Sequence, residues 1–287
     1  MGGGAWTTTA FNAYTTSTRG MDCMSYATLD CLTVQEAFKA RRLHPDLSPK
    51  NIMRECLDTE EHPNTIPVIL ALDVTGSMGR AATEVSKKLG MIMESIYSSP
   101  DVADVEFCVM AIGDLYCDDA PVQMSQFESD VRIAEHLDKI WFEGGGGGNS
   151  WESYTAAWYM GLNHCKLDCW KRGQRGVIIT IGDERMNPYL QKGAIANFIG
   201  DSVQEDVETA ALYEQAKEKF DIHHISIDDP ASSYSRYNRD GGLDKSWSML
   251  GENYHVSTVS GLQNMIVSIV VGAKPENRPL TANEISW

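Results

Sequence analysis

"PVILALDVTGSMGR", Pro67 to Arg80, begins as an unbroken apolar run and ends in a polar loop that carries glycine. An apolar run without polar alternation marks a strand covered on both faces, as in a parallel sheet flanked by helices. The loop presents one carboxylate and two hydroxyls within five positions, Asp73, Thr75 and Ser77. "RAATEVSKKLGMIMESIYSS" follows, with Val85, Leu89, Ile92, Met93 and Ile96 at helical spacing.

The alternation continues outward. "DVEFCVMAIG" (104–113) reads as a second strand and "SDVRIAEHLDKIWF" (129–142) as a helix. The run "EGGGGGNS" (143–150) is expected to open a further helix, "WESYTAAWYMGLN". "RGVIITIGDE" (175–184) is another buried strand, followed by helical "LQKGAIANFIG" (190–200). "VETAALYEQAKEKF" (207–220) is a helix leading into strand "DIHHISIDD". "SWSMLGENYHVSTVS" (246–260) holds a short helix and the last strand, and "GLQNMIVSIVVG" closes as an amphipathic helix. Strand and helix in alternation predict a three-layer, doubly wound α/β unit whose sheet is mainly parallel, over residues 67–272. Residues 273–287 form a tail, and 1–66 an N-terminal extension. Within the extension, threonine-rich "TTTAFNAYTTSTRG" (7–20) reads as an extended arm or β-rich edge. "TVQEAFKARRL" (33–43) reads as a short helix capped by Thr33, with Glu36 three places on.

Composition narrows the function classes. The 287 residues are 43% hydrophobic and 22% charged, ordinary for a soluble globular chain. A formal net charge of −16 repels phosphates, which argues against nucleic acid or an anionic membrane as the main partner. "MIVSIVVGA" falls far short of the roughly 20 apolar residues of a membrane span. No basic segment followed by an apolar core opens the chain, so no signal peptide is expected. Seven cysteines, an odd number, then suggest reduced thiols and a cytoplasmic location.

Three chemistries could use the Asp73 loop. A phosphoryl-transfer nucleophile of the haloacid-dehalogenase kind needs a second Asp two residues on, where Thr75 stands. The glycine run is no phosphate cradle either, because Asn149 and Ser150 follow it without a lysine. A serine hydrolase elbow needs Gly-x-Ser-x-Gly, and "TGSMG" has Thr75 at the first glycine. His223, His224 and His255 lie on strands, where packed or solvent-facing histidines are the simpler reading. A hard-cation site needs oxygen ligands only, and Mg²⁺ keeps several waters. In an open α/β sheet ligands gather at the carboxyl ends of strands where the order reverses. There the strand ending "IGDE" would bring Asp183 to Asp73, Thr75 and Ser77. A helix cap would explain Asp73 alone, not three polar residues in register together with Asp183.

"LDVTGSMGR" resembles the first motif of von Willebrand factor A-type (vWA) domains, Asp-x-Ser/Thr-x-Ser, which opens their metal-ion-dependent adhesion site (MIDAS). "VIITIGDE" is similar to that family's fourth strand with a metal-facing Asp, here Asp183. "SMLGENYHVSTVSGLQNMIVSIV" is similar to its closing strand and helix. The resemblance spans about 67–272 and implies a Rossmann-like vWA fold. It also implies Mg²⁺ (or Mn²⁺) at the site, and metal-dependent partner capture in place of catalysis. The sequence departs from the family twice. No Thr directly follows the glycines, and alignment on Ala156 and Ala157 puts Glu152 in that place, at the start of the helix. The usual Thr-Asp-Gly is Gly-Asp-Glu at Gly182–Glu184, with Glu184 expected to face solvent.

The expected function is a divalent-cation-dependent protein-binding module, not an enzyme, with metal ligands Asp73, Thr75, Ser77, Asp183 and Glu152. A partner's Asp or Glu would complete the metal, and self-association is possible. One alternative is a structural assembly subunit that pairs through its N-terminal arm and carries a vestigial metal site. A weaker one is a serine hydrolase with a degenerate elbow. Asp114, Asp118 and Asp119 in "GDLYCDDAP" are expected in a solvated loop with one Asx turn. Cys165 and Cys169, beside His164, lie four apart on an expected helical face and lack the further ligands zinc needs. Arg236, Arg239, Tyr234 and Tyr237 occupy a polar insertion that could contact a partner.

Overall fold

The computed structural model describes residues 4–19, 33–100, 102, 104–145, 151–228 and 242–272. Its centre is a six-stranded sheet. The strands are β1 (Ile66–Asp73), β2 (Val105–Ile112), β3 (Val122–Met124), β4 (Gly176–Gly182), β5 (Phe220–Ile227) and β6 (Tyr254–Ser257). Their order is β6-β5-β4-β1-β2-β3, parallel throughout except for the antiparallel β2–β3 pair. The short edge strand β3 escapes a reading of the sequence, since three residues show no period.

Every residue of β1 and β2 is buried, which is why both read as unbroken apolar runs. Successive side chains of a strand face opposite ways. Val68, Leu70 and Leu72 therefore enter one core with helices α2 (Gly79–Tyr97) and α6 (Leu262–Gly272). Ile69 and Ala71 enter the other core with α4 (Thr155–Asn163) and α5 (Thr209–Ala216). A shorter helix, α3 (Arg132–Asp138), joins the first layer through Ile133, Ala134 and Leu137. The molecule is thus the expected three-layer, doubly wound α/β fold. The chain leaves β1 toward β2 and β4 toward β5, on opposite sides, so the order reverses between β1 and β4. These two strands pair with Leu72 opposite Ile181, and their carboxyl ends lie side by side.

The threonine-rich segment is not an extended arm. It is helix α1 (Thr8–Arg19). Threonine is a modest helix former, and two of these threonines bond back to the helix: Thr15 Oγ1 to Phe11 O at 3.0 Å and Thr18 Oγ1 to Tyr14 O at 2.8 Å. What decides the conformation is burial, because Trp6 and Phe11 join the core of the α2 layer. Gly90 of α2 makes that contact possible, since a Cβ there would stand 2.5 Å from Phe11 Cε1. Phe11→Ala is expected to lower the free energy of unfolding by about 3 kcal/mol, read by urea denaturation. An unchanged midpoint would mean that α1 is not part of the core.

Other departures are local. The capped helix at 33–43 is only Val34–Ala37, although the Glu36 carboxylate does accept from Thr33 N at 2.7 Å. Cys165 and Cys169 do not share a helical face. Cys165 opens the short strand Cys165–Leu167, paired with Arg54–Cys56, and Cys169 lies in the 3-10 turn Asp168–Arg172.

Candidate functional site

Asp73 ends β1 and is fully buried. The chain turns immediately after it. Thr75 caps the 3-10 turn Gly76–Met78 that leads into α2, and its backbone N–H and hydroxyl both donate to Asp73 Oδ1, at 2.8 and 2.5 Å. Across the reversal point, Asp183 follows β4, and its Oδ1 accepts from Ser77 Oγ at 2.9 Å. The four residues singled out on two distant stretches thus meet at one sheet edge. The start of the glycine run lies over the loop, with Gly76 N donating to Gly145 O at 2.9 Å and Gly144 N to Val74 O at 3.1 Å.

Sequence reasoning missed Tyr154. Its hydroxyl donates to Asp73 Oδ2 at 2.7 Å and accepts from Glu184 N at 3.2 Å, so one buried phenol ties β1, α4 and the β4 loop together. The ring is held against His224 and Trp247, with centroids 5.1 and 5.3 Å away. Gly182 is the residue that admits it. A Cβ at 182 would stand 2.0 Å from the Tyr154 hydroxyl.

Glu152 is 6% exposed and converges on the same region, but it is not at a helix start. Trp151 and Glu152 form a two-residue strand paired with Arg185 and Met186, and α4 begins three residues later at Thr155. That pairing holds the backbone extended where spacing alone suggested a helix. Glu152 Oε2 has no hydrogen-bond partner among the described residues. Burial pushes the Glu152 carboxyl strongly up, and the charges of Asp73, Asp114 and Asp118 add to the rise. Burial likewise raises Asp73 to about 7, helped by Asp183, against the opposing bonds from Thr75 and Tyr154. Asp183 is raised by its own burial. Glu184 is half-buried, not solvent-facing, and is pushed up to about 7 by burial and then by Asp183. A region that concentrates this much buried carboxylate favours a bound positive charge.

The donor set is two carboxylates and two hydroxyls, all hard oxygens, the kind that Mg²⁺ and Mn²⁺ accept. Among the described residues, no three His, Cys, Asp or Glu side chains are grouped so as to hold a metal by themselves. Any cation here would depend on Thr75 and Ser77.

No family model matches the chain, and no curated protein matches it in sequence. Among solved structures it is similar to the pilus adhesin SpaC of Lactobacillus rhamnosus GG, open conformation. That match is 12% identical over 79% of this chain and 32% of SpaC, with a TM-score of 0.47. It is also similar to the vWF domain of the type V pili tip protein Mfa5 from Porphyromonas gingivalis, at 11% identity, covering 76% of this chain and 98% of that one, TM-score 0.45. A third is the conserved hypothetical protein BatB from Bacteroides thetaiotaomicron, at 12% identity, 72% and 98% coverage, TM-score 0.43. The chain spans about a third of the length of SpaC. Similarity this distant has no bearing on the chemistry of the site.

The remaining candidates divide. The Asp114 loop has its Asx turn, Tyr116 N donating to Asp114 Oδ1 at 2.9 Å, but Asp114 and Asp118 are buried and only Asp119 is exposed. His224 is a packed histidine, bonded to Thr180 Oγ1 at 2.8 Å, and burial pushes it well below its ordinary range. His223 stacks on His255. Ser150, Asn149 and the Tyr234–Arg239 insertion lie outside the described residues. Among the described residues no helix is long and apolar enough to cross a membrane.

Proposed function

We propose that this chain is a divalent-cation-dependent protein-binding module of the MIDAS kind, without catalysis of its own. The observation that carries the reading is the meeting of the Asp73–Thr75–Ser77 loop with Asp183 at the reversal point of the sheet. In this reading Mg²⁺ or Mn²⁺ is held by Asp73, Thr75, Ser77 and Asp183, with Glu152 as a further carboxylate of the site. Such a cation retains water-filled positions, and a partner's Asp or Glu can take one of them. Support for a non-catalytic role comes from Ser77, whose hydroxyl is directed at a carboxylate and not at a histidine base. The free thiols among the described residues suit a reducing, cytoplasmic setting.

The test is capture of partners on immobilised protein in Mg²⁺ and again in chelator, with Ser77→Ala alongside. Capture should require the cation and should be lost in Ser77→Ala, while the variant still unfolds cooperatively in chelator with a thermal midpoint lower by no more than about 10 °C, since it gives up one bond, to Asp183, and no part of the sheet core. Association that survives both treatments would favour the assembly-subunit reading.

A further inference from the structure

Beside the site, and not part of it, lies a cavity of about 570 Å³ between the loop after β2, the Trp151 strand and the segment 187–191. The volume is within the range of small-ligand sites, roughly 300–1,000 Å³. Its walls are unusual for this molecule. Six large hydrophobic side chains are exposed among the described residues, and three of them, Tyr116 (74%), Trp151 (42%) and Tyr189 (39%), line this one cavity. Asp114 lines the same wall, its carboxylate accepting from Tyr116 N at 2.9 Å and Cys117 Sγ at 3.2 Å, and among the described residues neither lysine nor arginine lines it.

The loops bearing the aromatic rings are braced to one another. Leu115 N donates to Ser153 Oγ at 3.0 Å, joining the Tyr116 loop to the Trp151 strand. Asn187 Nδ2 donates to Tyr189 O at 3.0 Å, and Asn187 Oδ1 accepts from Thr155 N at 3.3 Å. A cavity fixed in this way loses little freedom on binding.

We propose that this cavity binds an arginine side chain presented by a basic segment of a partner protein. Aromatic faces attract a cation, arginine more often than lysine, and a guanidinium stacks on them at a smaller cost in hydration. The apolar walls cover the methylene stem. Asp114 supplies opposite charge at the cavity, and the chain's net charge of −16 draws a basic segment toward it. The inference does not rest on the metal reading, because Asp114, Tyr116, Trp151 and Tyr189 belong to no proposed cation ligand set.

The experiment uses the full chain carrying 5-fluorotryptophan, in chelator, with the Trp151 resonance assigned through Trp151→Phe. The probes are acetyl-Gly-Arg-Gly-amide and the same peptide with citrulline, which keeps the shape and removes the charge. The arginine peptide should shift the Trp151 resonance saturably and bind about tenfold or more tightly than its citrulline counterpart. Asp114→Asn should weaken the arginine peptide about threefold or more and leave the citrulline peptide unchanged, since the rings still attract the guanidinium, while the exposed neighbour Asp119→Asn should change it less than twofold. If Asp114→Asn does not fold, the two peptides on wild type still decide. No saturable Trp151 shift, or equal binding of the two peptides, would overturn the proposal.

Discussion

Mn²⁺ affinity is expected to fall about tenfold for each pH unit below about 7, because each bound cation must displace a proton. The proton is that of Asp73, whose carboxyl is raised to about 7 by burial and by Asp183. Above that pH the Asp73 carboxylate is ready for the cation, and the dependence that remains is that of Glu152, whose carboxyl is pushed up further still. Folding without metal has its own dependence on pH. A carboxyl raised in the folded state holds its proton more tightly there than in the unfolded chain, so the stability it contributes is full below the unfolded value near 3.8 and is lost as pH rises to about 7. His136, pushed down to about 4 by burial, and His224 work in the opposite direction over part of that window. The difference in thermal midpoint between wild type and Asp73→Asn in chelator isolates the Asp73 contribution. It should move against wild type as pH rises from 4 to 7. Calorimetric titrations of Mn²⁺ at several pH values read the affinity, and an affinity flat from pH 5 to 8 would mean that Asp73 is not in the site.

The second large effect concerns Gly182. An alanine Cβ would stand 2.0 Å from the Tyr154 hydroxyl and 2.3 Å from Cζ. Tyr154 cannot retreat, since its ring is enclosed by His224 and Trp247. Its hydroxyl also serves Asp73 and the Glu184 amide. Overpacking costs about 1–3 kcal/mol, and a buried bond lost with it roughly 1–3 more. Gly182→Ala should therefore destabilise the protein by about 3 kcal/mol or more in urea, on these same magnitudes. Gly193, which has open space around it, is the control, and alanine there should stay within about 0.5 kcal/mol of wild type. A Gly182→Ala protein as stable as the control would mean that the Tyr154 bridge is not formed.

The parts of the fold legible in sequence are those whose physics is local. β1 announces itself because burial on both faces removes every polar alternation, and Asp73, Thr75 and Ser77 stand out because they follow it directly. Asp183 is found the same way, at the end of "VIITIG". Tyr154 leaves no such mark, because its bond to Asp73 spans 81 positions and any buried tyrosine needs some partner. Alignment puts Glu152 at a helix start, but the strand that holds it extended is 34 residues away at Met186. In α1, local propensity pointed away from helix, and burial of Trp6 and Phe11 against α2 outweighed it. Asp114 and Asp118 looked like a solvated loop, and only the neighbouring segments that fold over them bury their carboxylates.

The central claim is that Asp73 and the residues gathered around it form a divalent-cation site. Calorimetric titration of Mn²⁺ into wild type and Asp73→Ala at pH 7.5, with the variant's fold checked by circular dichroism, tests it most directly. One ion per chain in the wild type, with affinity at least about a hundredfold weaker in the folded variant, is the predicted result. Equal affinity in the two proteins, or no binding to the wild type, would contradict it.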